Sequence, residues 1–188
     1  MTTLVTLWLP ILLSAVFVFI VSSVIHMVVQ WHKADCKLMP DEAKVLAGLR
    51  SANLSPGTYV FPGCKEMKDL GSPEMRAKFQ QGPVGSIVVR PAGMPSMGKS
   101  LGQWFLWCLL VSAIVAWLTL QARPPGVPTG EVFKMAFGAA MLGHAFTYVV
   151  DTIWKGVSWS TTARFFVDGV LYALTTAATF AWLWPATF

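Results

Sequence analysis

The sequence predicts an all-α integral membrane protein, a four-transmembrane-helix bundle with a cytoplasmic insert between spans one and two. Three observations carry this expectation. Of 188 residues, 55% are hydrophobic and only 12% charged, and mean hydropathy is +0.58. A water-soluble core does not need so apolar a chain, whereas a hydrocarbon layer about 30 Å thick needs about 20 apolar residues per crossing. Four runs of that length are present, and ten of the 14 Lys and Arg residues fall between Lys33 and Lys99, outside all of them. A soluble globular domain, a disordered chain and a fibrous repeat are excluded on composition.

The first run, about Leu4 to Gln30, carries no formal charge. It is too long for a signal-peptide core and lacks a basic leader and a small-x-small cleavage site, so it reads as a retained span. The second runs from Leu101 to Leu120, the third from about Val132 to Trp154 and the fourth from about Thr162 to Trp184. Trp8, Trp31, Trp104, Trp107, Trp154, Trp159, Trp182 and Trp184 stand near the run ends, where an amphipathic indole prefers the headgroup boundary. The link from Arg123 to Gly130, RPPGVPTG, is a Pro/Gly turn that makes spans two and three an antiparallel hairpin. Twelve Lys and Arg residues lie in the 31–100 segment and in the link between spans three and four, against Arg123 and Lys134 on the other side. The positive-inside rule then puts the insert in the cytosol and both termini outside.

Within the 31–100 insert, Pro40, Asp41 and Glu42 start a helix with proline and acids at its positive dipole end, followed by Val45, Leu46 and Leu49 at helical spacing. That helix is expected to run to about Ala52. The Ser55–Gly57 turn leads into Thr58–Phe61, a second helical piece covers Pro73–Gln80, and Gly85–Arg90 follows. The two β-branched runs are expected to pair as an antiparallel ribbon. The whole of 1–188 reads as one membrane domain carrying this insert. Cys36, Cys64 and Cys108 are odd in number and form no CxxC pair, so free thiols are expected and no metal site is predicted.

Ionisable groups inside a membrane are costly enough to be functional candidates by default. His26, His144 and Asp168 fall at similar depth in the cytoplasmic half. In span three, His144, Tyr148 and Asp151 recur at helical spacing; in span four, Arg164, Asp168, Tyr172, Thr175 and Thr179 do the same. These faces should point inward as a polar seam. The ligand- or proton-binding candidates are therefore His26, His144, Tyr148, Asp151, Arg164, Asp168 and Tyr172. The simplest account of Arg164 and Asp168, four apart, is an ion pair along one helix. His26 and His144 together also admit a bis-histidine b haem, although no cofactor is the main expectation. Continuing the first span as a regular helix brings His32 and Cys36 onto one face, with Asp35 beside them, and turns His26 about 240° away from His32, which argues against joint chelation.

Gly93 to Ser100, GMPSMGKS, matches the letters of a phosphate-binding loop but leads straight into a span and contains Pro95, so it reads as a juxtamembrane connector with Lys99 as an anchor to anionic lipid. The net charge of +5 is accounted for by topology, and no nucleic-acid partner is expected.

The stretches SSVIHMVVQWHK (Ser22 to Lys33), GPVG (Gly82 to Gly85) with MGKSLGQWF (Met97 to Phe105), and SWSTTARFFVDGVLYALTTAATFAWLWP (Ser158 to Pro185) resemble a group of small bacterial four-helix membrane proteins without assigned activity. The resemblance implies an inner-membrane location and no chemistry. No complete catalytic constellation is present, so the expectation is a non-enzymatic protein: an accessory or assembly subunit whose partners are the lipid bilayer and other membrane protein subunits. The alternatives are a small proton, cation or ligand carrier or sensor using the polar seam, and the b-haem protein.

Overall fold

The computed structural model describes residues 4–186. In chain order its helices are α1 (Trp8–Val24), α2 (Glu42–Ser51), α3 (Pro73–Gln81), α4 (Met97–Ala122), α5 (Thr129–His144), α6 (Tyr148–Lys155) and α7 (Trp159–Leu183), and its strands are β1 (Gly57–Phe61) and β2 (Gly85–Val89). Among the described residues, four stretches are long and apolar enough to cross a membrane: Leu4–Val29, Met97–Ala122, Thr129–Lys155 and Trp159–Leu183. The protein is a multi-pass integral membrane protein, and the outward apolar side chains of these spans, such as Ile20, Leu106, Leu110 and Ile114, are its lipid-facing surface. Lys37–Pro95 forms one compact unit and the spans the other.

In the span unit, α1 packs on α4 and α7, α4 on α5, and α5 on α7. Small residues allow this. Ala136 and Ala140 of α5 and Ala173 and Ala177 of α7 are fully buried, and they let helix backbones approach closely where lipid supplies no hydrophobic drive for association. Backbones meet closely at Gly169, where an added Cβ would lie 2.5 Å from the Cα of Ala145 and collide with the His144 carbonyl. Ser14 of α1 and Ser112 of α4, both buried, share a hydrogen bond of 3.1 Å donated by Ser112. The α4–α5 link is tied back to the far end of α7: Gly126 N–H donates to the Pro185 carbonyl at 3.0 Å.

Two spans are not single helices. The first passes from α1 into a wide π turn at Ile25–Val29, ends on Gln30 in the left-handed region (φ 55°), and continues as a tight turn at Trp31–Ala34. Gln30 is not glycine, and its side chain offsets part of the conformational cost by donating to the Met27 carbonyl at 2.7 Å. The third span breaks at 145–147 between α5 and α6, opposite Gly169. The face expected to carry His144, Tyr148 and Asp151 is therefore interrupted after His144.

The insert follows its sequence signals closely. Asp41 caps α2 by accepting the Lys44 N–H, and Ser72 caps α3 by accepting the Met75 N–H. β1 and β2 pair antiparallel with Gly57 opposite Val89 and Phe61 opposite Gly85. This two-stranded ribbon is not preceded by a buried parallel sheet, and Gly98, Lys99 and Ser100 lie in the first turns of α4, capped by Ser96. The phosphate-loop letters are a helix start.

Two of the expected interfacial tryptophans face inward. Trp31 and Trp104 are half-buried against the cluster that contains Val18, Cys108 and Tyr172. Trp8, Trp154, Trp159 and Trp182 are exposed, as an interfacial belt requires.

Candidate functional site

The reversal at Gln30 folds the end of the first span back over its own last turn. His32 thereby stacks on His26, with ring centroids 4.8 Å apart and planes at 13°. The helical extrapolation that set these two histidines about 240° apart fails because the chain between them is a π turn followed by a left-handed residue, not a regular helix. The stack continues through Phe165 of α7, 4.4 Å from His32, to Tyr148 of α6, 4.8 Å from Phe165. Four rings from the first, fourth and third spans thus form one column.

Each nitrogen of His32 meets a carboxylate. Nδ1 is 2.5 Å from Asp35 Oδ2 and Nε2 is 2.8 Å from Asp168 Oδ2. Asp35 in turn accepts from Arg164, through Nε at 2.8 Å and through a terminal guanidinium nitrogen. Arg164 therefore pairs with Asp35 rather than with Asp168, because the tight turn at Trp31–Ala34 delivers a carboxylate to the guanidinium from another span. Burial alone would raise the pKa of Asp35, but hydrogen bonds from Arg164, His32 and Thr161 outweigh it and hold the carboxyl below its ordinary value.

His26 is exposed, and its Nδ1 lies 3.0 Å from the Ser22 carbonyl. A carbonyl only accepts, so Nδ1 carries the proton and Nε2 keeps the lone pair. Asp168 is 1% exposed, and its Oδ1 is buried with no hydrogen-bond partner. One donor atom each from His26, His32 and Asp168 lie within 4.8 Å of one another.

His26 and Asp168 border a cavity of about 630 Å³ between the end of the first span, the start of α4, and α6 and α7. Ser22, His26, Tyr148, Asp168 and Tyr172 give it a polar side; Met27, Leu101, Trp104 and Phe165 give it an apolar one. Its size and mixed lining are those of small-molecule sites.

Of the residues singled out from sequence, the structure brings His26, Tyr148, Asp168 and Tyr172 to this cavity, with Arg164 behind it on Asp35. Asp151 is apart from it, half-exposed and paired with Lys155 at 2.7 Å. His144 is buried edge-on to Tyr172, centroids 5.7 Å apart, with both ring nitrogens unpartnered, and it is not among the converging donors. His26 lines the cavity and His144 does not. A regular helix through residue 36 would keep His32 and Asp35 turned away from His26; Gln30 and His32, polar residues directly after an apolar span, are the signal that the helix could stop there. No family model, curated protein or solved structure matches this chain.

Proposed function

We propose that this membrane protein is a small-ligand carrier or sensor that binds its ligand in the cavity at the cytosolic boundary of the bundle. The observation that carries this reading is Asp168: a fully buried carboxylate on the cavity wall with one oxygen left without a protein partner. A buried carboxylate oxygen without a hydrogen bond costs folding free energy, roughly 1–3 kcal/mol, and a bound species recovers that cost. The serine hydroxyls and tyrosines on the same wall supply orientation, and the apolar side supplies affinity.

The distribution of Lys and Arg and the resemblance to small bacterial membrane proteins support a bacterial inner membrane, with the 31–100 insert and the broken end of the first span facing the cytosol. The protein acts without catalysis in this reading.

Native mass spectrometry of protein released from mild detergent tests the proposal. A small molecule is expected to be retained by the wild type and lost from Ser100→Trp, which fills the cavity from its exposed wall. Protein that carries no small molecule and instead elutes at fixed stoichiometry with larger membrane subunits overturns it in favour of the accessory-subunit reading.

A further inference from the structure

We propose that His26, His32 and Asp168 form a binding site for a first-row divalent transition-metal ion, with an open coordination position toward the cavity. This rests on the reading of the cavity as a binding site and adds a metal ion at its polar wall, beside the small molecule. Two imidazoles and one carboxylate are a donor set suited to zinc with a water, or to ferrous iron and cobalt with open positions. Donor atoms on one such ion stand about 3–3.5 Å apart when bond lengths are near 2 Å. The three here are already within 4.8 Å of one another, so small side-chain rotations bring them to one ion.

The surroundings point the same way. His26 holds its Nδ1 proton on the Ser22 carbonyl, which frees Nε2 as a donor. His32 has Asp35 on Nδ1, the carboxylate–histidine–metal arrangement that fixes a ligand ring and raises its basicity. Arg164 neutralises Asp35, so the charge facing the ion is that of Asp168, whose second oxygen is buried and unpartnered. On binding, the ion takes the place of the hydrogen bond between His32 Nε2 and Asp168, and the proton of that bond leaves to solvent. Phe165 and the stacked rings hold both imidazoles against rotation away from the ion.

Cobalt(II) alone is the probe. Chelator-stripped protein in mild detergent is expected to develop the visible d–d absorption of protein-bound cobalt, saturating at one ion per chain and abolished by zinc. His26→Ala should weaken binding by at least roughly tenfold while the metal-free protein still unfolds cooperatively, and Asp35→Asn, which keeps all three donors, should weaken it by about 10- to 100-fold. Cys36→Ser should leave the spectrum and affinity as in the wild type. No cobalt band, an unchanged affinity in His26→Ala, or a loss of the band in Cys36→Ser overturns the assignment. Ser100→Trp keeps the three donors: cobalt bound by this variant after its small molecule is lost supports the metal site independently of the cavity ligand. Cobalt bound by a wild type that retains no small molecule supports the metal site and sinks the carrier reading alone.

Discussion

The Arg164 guanidinium grips Asp35, 129 residues earlier in the chain, and leaves Asp168, one turn along its own helix, to His32. An intrahelical pair would have neutralised Asp168 inside α7. The observed exchange ties the unravelled end of the first span to the fourth and keeps a carboxylate on the cavity wall.

Removing this tie should loosen the span end. Arg164→Ala leaves Asp35, whose side chain is only 9% exposed, without its cation, and is expected to cost about 2 kcal/mol. Arg164→Lys should recover only part, because an ammonium cannot reproduce the fork on one carboxylate. Equilibrium unfolding in mixed micelles measures both; equal stability of Arg164→Ala and wild type would show the pair to be inert.

The same pair makes stability depend on acid. Asp35 titrates below its ordinary 3.8 in the folded protein, so the unfolded chain binds more protons as pH falls. Its contribution is complete above that ordinary value and disappears as pH drops through the lower, folded one. The stability gap between wild type and Asp35→Asn should therefore be constant near neutrality and narrow below about pH 4. Thermal unfolding across an acid series reads this directly, and a gap that widens toward acid would contradict it.

Two glycines separate a rigid contact from a yielding one. Gly169→Ala drives a methyl into the backbone of His144 and Ala145 and should cost about 3 kcal/mol or more. Gly143→Ala meets Val111 Cγ1 at 2.9 Å, a side chain that can shift, and gains helix propensity; it should remain within about 1 kcal/mol of wild type. Similar losses for the two would mean that α5 and α7 are not in backbone contact.

The Ser14–Ser112 hydrogen bond offers a measure of polar adhesion between spans. A double-mutant cycle to alanine should return a coupling of about 0.6 kcal/mol, typical of hydrogen bonds between helices in a membrane. A coupling indistinguishable from zero would assign the α1–α4 contact to packing alone.

Thiol labelling checks the orientation. Cys36 is exposed, Cys64 half-buried and Cys108 buried. A membrane-impermeant maleimide should modify Cys36 and Cys64 in inverted vesicles and not in intact spheroplasts, with Cys108 unreactive in both. Labelling of Cys36 in spheroplasts would reverse the topology.

Most of the architecture was legible because it follows from local chemistry. Span lengths come from apolar runs, α2 and α3 from their caps at Asp41 and Ser72, and the ribbon from β-branched residues at Thr58–Phe61 and Gly85–Val89. The inward face of α7 was legible too, since Asp168, Tyr172 and Thr179 keep one phase along an unbroken helix. What escaped was the site's other half. Helical spacing cannot be carried through Gln30, whose left-handed conformation reverses the chain, nor past His144, where the third span breaks against Gly169. Asp35 and His32 therefore met Arg164 and Asp168 through tertiary geometry that no periodicity encodes.

The backbone contact at Gly169 also sets the two sides of the cavity apart. With main chain resting on main chain, α5 and α7 cannot slide past each other without separating, so they act as a fixed jaw that holds Asp168 and Tyr172 in place. The opposing jaw is the π-turned end of the first span and the serine-capped start of α4. Under the proposed ligand-binding function, admission and release of a guest fall to that second jaw, so a substitution that stiffens the turn at Gln30 is expected to slow both.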